Sequence, residues 1–79
     1  MTGAQRSLSM WTLYDRPRDY PEHYVARRFE VAGGHIYPRP TNDMFTADSL
    51  EELRMLLPPG LICLGRNPSD DPNIVETWV

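Results

Sequence analysis

The clearest structural signal in this sequence is a short leucine-rich segment with the spacing of one face of an α-helix. The leucines in this pattern are Leu50, Leu53, Leu56 and Leu57. Asp48 is the predicted N-cap, with Glu51 three residues later in a capping-box pattern, and Pro58-Pro59-Gly60 ends the helix. Nine residues separate Asp48 from Pro58, and a helix of that length is unstable alone in water. The leucine face must therefore be buried against a sheet.

Strand-like patterns flank the helix on both sides. The predicted strands are 10–14, 24–31, 44–46, 61–64 and 74–79. In the first strand, Trp11 and Leu13 share one face. In the second, Val25 and Phe29 lie on an apolar side that Arg27 interrupts. The stem of Arg27 therefore extends across the edge of the core, or the strand contains a bulge.

The two C-terminal strands have different patterns. Residues 61–64 form a continuous apolar run, which predicts a central strand with Cys63 as a small buried side chain. Residues 74–79 are apolar on both faces, with Ile74 and Trp78 beside Glu76 on one of them. One face of this last strand must therefore meet the N-terminal strand, an oligomeric mate or a partner.

The order of these elements predicts an α+β fold. It consists of a small antiparallel sheet of three to five strands, with one short helix packed across one face. Residues 1–9 have no usable periodicity and are predicted to be a flexible tail, and residues 10–79 form a single domain.

Composition excludes several functional classes. A chain with 41% hydrophobic and 24% charged residues is typical of a soluble globular domain. No apolar run has the length of a membrane span or the form of a signal peptide, so we expect a cytoplasmic protein. The single cysteine, with only His23 and His35 as histidines, allows neither an internal disulfide nor a closed Cys/His zinc site. No catalytic residue, metal site or cofactor site is predicted.

The charged and aromatic residues suggest a protein-binding surface. Residues 1–40 carry six arginines against four acids, whereas residues 41–79 carry two arginines against seven acids. Tyrosine and arginine are enriched at protein interface hot spots, and the net charge of −3 does not favour direct binding of nucleic acid. The predicted partner-binding residues are Arg16, Arg18, Tyr24, Arg28, Asp70, Asp71 and Glu76. The alternative for Asp70 and Asp71 is a turn in which the side chains bond their own backbone.

Two stretches of the chain carry a family resemblance. They are MWTLYDRPRDYP with YVARRFE within residues 10–30, and SLEELR through PPGLICLGR to IVETWV within residues 49–79. Both resemble small proteins encoded by bacterial phages and prophages, a group that has no catalytic motif to transfer. Among small phage proteins of this style, the resemblance points to the anti-CRISPR proteins.

The resemblance implies a function for the predicted surface. The protein would bind Cas subunits of a Cascade-like CRISPR effector complex inside the bacterial host. Binding would be stoichiometric and without turnover, and it would prevent the complex from binding target DNA. The alternative is a non-enzymatic phage accessory or structural interaction module, for which a homo-oligomer is expected.

Overall fold

The described part of the chain forms one five-stranded sheet and one helix. The structure, a computed structural model, describes residues 7–32, 37–66 and 71–79. Its elements are β1 (Ser7–Asp15), β2 (Tyr24–Ala32), β3 (Arg39–Ala47), α1 (Leu50–Leu56), β4 (Cys63–Gly65) and β5 (Ile74–Trp78). All neighbouring strands are antiparallel, in the order β3-β2-β1-β5-β4. The α+β class and the antiparallel sheet are confirmed, at the upper end of the predicted number of strands.

The first strand begins at Ser7, earlier than the sequence predicted. Residues 7–9 were expected in the tail, but Leu8 is paired with Val31 and Ser9 with Glu30. The hairpin partner extends this strand, because β2 continues to Ala32 and offers a full ladder of backbone groups. Residues 1–6 lie outside the described residues.

The core forms where β1 crosses the middle of the sheet. Trp11 and Leu13 lie on its inner side, as their alternation predicted, and cluster with Ala26 and Leu53 of α1. The rings of Trp11 and Phe45 stack with their centroids 5.1 Å apart. We call the side of the sheet that carries this cluster the core face, and the opposite side the open face.

The helix is correctly located, but two of its details differ from the prediction. Ser49, not Asp48, is the N-cap: its extended backbone places the side-chain Oγ 3.1 Å from the backbone N–H of Glu52, which donates to it. Leu53 is fully buried, whereas Leu56 is 46% exposed. α1 contacts β2 and β3 at one end of the sheet, so only part of the leucine pattern meets the core.

The prediction of a central strand at residues 61–64 is wrong. β4 has three residues, pairs only with β5 and lies at the sheet edge. Ile62 and Leu64 are 66% and 64% exposed, and Cys63 is exposed as well. A continuous apolar run indicates a strand without indicating its neighbours, and here β5 occupies the place next to β1.

The third strand is longer than predicted. β3 has nine residues, where only 44–46 were expected. Its additional residues include Pro40, which sits opposite Phe29 within the ladder. An edge strand tolerates proline because one side of its backbone has no neighbouring strand to bond.

Candidate protein-binding surface

The open face of the sheet carries a groove of about 440 Å³ lined largely by apolar and aromatic side chains. The lining residues are Met10, Thr12, Tyr14, Phe29, Tyr37, Pro38, Ile74 and Thr77. Directly opposed residues of an antiparallel pair share a face, and Met10 pairs with Phe29 while Tyr14 pairs with Ile74. The pairing of three strands therefore assembles the groove.

An irregularity in β5 places Ile74 in this groove. The register between β1 and β5 shifts between Leu13 and Tyr14. Val75 packs against the core cluster, and Ile74 lines the open face. The prediction that Ile74 shares a face with Trp78 is wrong, because a register shift breaks the period-2 alternation on which it depended.

Arg27 contacts Tyr14 of the groove, and neither feature predicted for it is found in β2: the ladder with β1 is continuous past Arg27, and the side chain lies on the open face. Its guanidinium lies 5.4 Å from the centre of the Tyr14 ring and forms an ion pair with Asp19. The pairing of β2 with β3 shifts in register between Arg27 and Phe29, but the extra residues lie in β3, between Pro40 and Met44. Val25 pairs with Tyr14 and Phe29 pairs with Met10, so this side of β2 lies on the open face, opposite the core cluster that contains Leu53.

Arg16, Arg18 and Tyr24 lie at the end of the hairpin formed by β1 and β2. Arg16 is exposed, donates to Asp15 at 2.7 Å and stacks 5.7 Å from the ring centre of Tyr24. The hydrogen bond to Asp15 raises the pKa of Arg16. Arg18 is exposed and forms no ion pair with any described side chain. Arg18 is therefore the more available of the two cations.

Arg28 lies on the core face, away from the groove. Its guanidinium donates to Asp43 at 2.6 Å, and to Ser9 and Glu30 at 3.2 Å each. The hydrogen bond to Asp43 is the main cause that raises the pKa of Arg28. Because these bonds occupy the guanidinium, an Arg28→Glu exchange would put three carboxylates together and disturb the fold as well as any interface.

The predicted acidic residues do not form one surface. Asp70 lies outside the described residues. Asp71 caps a turn, where its Oδ1 accepts the backbone N–H of Asn73 at 2.9 Å, as the turn alternative predicted. Glu76 is internal to the fold: it accepts two hydrogen bonds from Arg54 and one, at 3.0 Å, from the Trp78 indole N–H. The Glu76 side chain is only 15% exposed.

Glu76 should make stability depend on pH in the acid range. The hydrogen bonds from Arg54 lower its pKa below the ordinary 4.5, so its contribution is complete above that value and is lost as the pH falls through the lowered pKa. We expect Glu76→Gln to cost about 1–2 kcal/mol at neutral pH, because the partly exposed Arg54 is screened by solvent. Denaturant unfolding from neutral to acid pH measures this difference.

The matched control is Glu22→Gln, at an exposed carboxylate in the loop between β1 and β2. It should change stability little at any pH. A difference between wild type and Glu76→Gln that stayed constant as the pH fell would contradict the assigned role of the carboxylate.

The predicted partner-binding residues did not include the apolar residues that line the open groove. Met10 and Phe29 were not among the candidates, although the alternation in β1 placed Met10 on the face opposite to Trp11 and Leu13. The available signal was that both faces of β1 and β2 carry large apolar residues while the sequence supplies one short helix to cover them.

Comparisons with known proteins assign no site to this chain. No protein-family model, curated protein or solved structure matches the chain. Among the described residues, no three His, Cys, Asp or Glu side chains are grouped so as to hold a metal ion. In the same part of the chain, no helix has the length and apolar character needed to cross a membrane. His23 is half-exposed in a loop, 3.5 Å from Asp48, and His35 lies outside the described residues.

Proposed function

We propose that this protein is a non-enzymatic inhibitor that binds a host CRISPR effector complex stoichiometrically and blocks its binding to target DNA in the bacterial cytoplasm. The observation that carries the binding role is the groove on the open face. α1 joins the core cluster on the other face through Leu53, so this apolar surface is available to a partner protein.

The chemistry of the groove fits a protein partner. Aromatic residues, methionine and arginine are enriched in protein interfaces, whereas charged residues are depleted at their centres. Tyr14, Phe29 and Met10 provide such a centre, and Tyr37 at 77% exposure stands at its margin. Arg27 stacks along Tyr14 and adds a cation at the rim.

The identity of the partner rests on the resemblance of residues 10–30 and 49–79 to small phage proteins. An inhibitor of this kind needs no catalytic group, only a surface that occupies the DNA-binding region of the complex. Arg18 and Arg16 lie at the end of the hairpin formed by β1 and β2, and they would add contacts to carboxylates of the partner.

The proposal is tested by titrating the purified protein against target-DNA binding by each effector complex of the bacterial host. We expect inhibition to reach completion at a fixed molar ratio of protein to complex. Longer preincubation at substoichiometric amounts should not increase it, because no turnover is involved. Unchanged DNA binding by every complex at saturating excess would eliminate the inhibitor function.

The alternative, an accessory or structural module, is favoured by one observation. Leu64 of β4 and the preceding Ile62 are exposed at the sheet edge, where backbone groups of β4 also lack a second neighbouring strand. β5 lies between β1 and β4, so it cannot itself provide a free edge for self-association. A molecular mass that rises with concentration in light scattering, and falls back in Ile62→Lys, would support this alternative.

A further inference from the structure

A second groove, of about 450 Å³, lies between α1 and the C-terminal half of β3. The lining residues are His23, Thr46, Ala47, Asp48, Glu52, Met55 and Leu56. Met55 is 81% exposed and Leu56 is 46% exposed, although both belong to a helix whose other leucines meet the core. Two large apolar side chains are thus presented to solvent beside a strand.

The strand beside this groove has a free and regular edge. β3 is the last strand of the sheet, so alternate residues direct their N–H and C=O groups away from β2. Pro40 and the register shift opposite Arg27 and Phe29 affect its N-terminal half. From Met44 to Ala47 the pairing with β2 is continuous, and this is the half that borders the groove.

The charge around the groove selects the kind of occupant. Asp48 and Glu52 line it, and the Asp48 side chain is 86% exposed. Among the described residues the lining includes no arginine, and the basic group that it does include, His23, is already 3.5 Å from Asp48. A ligand with lysine or arginine side chains would complement these carboxylates.

From these three features together we propose that the groove binds an extended, basic segment of a partner protein. The segment adds as a further strand to Met44–Ala47, places an apolar side chain against Met55 and Leu56, and directs a cation to Glu52. Strand addition derives affinity from main-chain hydrogen bonds and specificity from alternate side chains. This surface is separate from the open face and does not depend on the CRISPR function.

Alternate residues of a strand share one face, and Glu52, Met55 and Leu56 all belong to α1. The probe is therefore a peptide as long as β3 in which every second residue is valine or lysine in turn, with threonine between them, added to the ¹⁵N-labelled full chain. We expect the backbone amide signals of Met44–Ala47 to shift and to gain protection from hydrogen exchange. A peptide with glutamate in place of lysine should bind much more weakly. Equal binding of the two peptides, or shifts confined to other residues, would overturn the proposal.

A charge reversal gives the matched test. Glu52→Lys should weaken binding of the lysine peptide by about five- to tenfold at low salt, since reversing one exposed charge removes an attraction and adds a repulsion. Glu51→Lys changes the neighbouring exposed carboxylate of the same helix, which does not line the groove, and should leave affinity almost unchanged. Equal losses in the two variants would show only a general charge effect and contradict the site.

The competing occupant is a second copy of this chain. If the Met44–Ala47 signals broadened with protein concentration alone, and the peptide failed to displace the second copy, the basic-segment proposal would fail. A monomer that binds the lysine peptide at these residues supports it.

Discussion

Replacing Leu53 by alanine is expected to lower the free energy of unfolding by about 2–5 kcal/mol, the usual cost of removing a fully buried leucine. Leu53 has no exposed surface and is the residue of α1 that joins the cluster of Trp11, Leu13 and Ala26. A domain of this length has roughly 4–12 kcal/mol of stability in total. The variant should therefore lose a large part of its free energy of unfolding. Urea unfolding at constant pH measures this loss as a transition midpoint at a much lower urea concentration.

Leu56→Ala is the control for this prediction. Leu56 lies in the same helix and is the same residue type, but it is 46% exposed. Its replacement should cost well under half as much, since little apolar area leaves water there on folding. Similar losses for the two leucines would mean that intrinsic helix stability, not burial of Leu53, dominates.

Replacing Tyr37 by aspartate is expected to weaken binding to the effector complex by about thirtyfold or more, the scale of losing an interface hot spot. Tyr37 is 77% exposed and lines the open groove, so an unpaired carboxylate would be buried there only in the complex. The fold should remain intact because no core contact is removed. Competition binding and thermal melting together measure the two effects.

Met55→Asp is the matched control, at the groove between α1 and β3. Met55 is also highly exposed, at 81%, and lines the groove between α1 and β3. It should leave binding to the effector complex unchanged. If Met55→Asp abolished that binding and Tyr37→Asp did not, the inhibitory surface would have to be moved from the open face to the α1–β3 groove.

The elements with strong local periodicity were predicted well. The alternation of Trp11 and Leu13 in β1, the extent of β2 and the position of α1 all depend on the order of residues within one element. The N-cap was misplaced by one residue, because Asp48 and Ser49 both suit that position and the backbone geometry decides between them.

The errors occurred where the neighbours of an element matter. The apolar run at residues 61–64 indicated a strand correctly, but pairing with β5 alone left Ile62 and Leu64 at the edge. Ile74 changed faces through a register shift relative to Tyr14. Neither the number of neighbouring strands nor a bulge is encoded in the period of a single segment.

The candidate sites divide in the same way. Residue type correctly indicated a turn at Asp71, because that bond forms within three residues of chain. It did not reveal that Glu76 is engaged by Arg54, or that Met10, Phe29 and Tyr37 line one groove. These contacts join residues that are distant in the chain.

By itself, the sequence determined that this protein has one short helix with a buried leucine, several strands with two usable faces, and no means of closing a disulfide or zinc site. Only the tertiary structure decided the strand order, which face remains open and which charges neutralise each other. The physical reason is that helix and strand periodicity arise from local backbone geometry, whereas surfaces are created by pairing between distant segments.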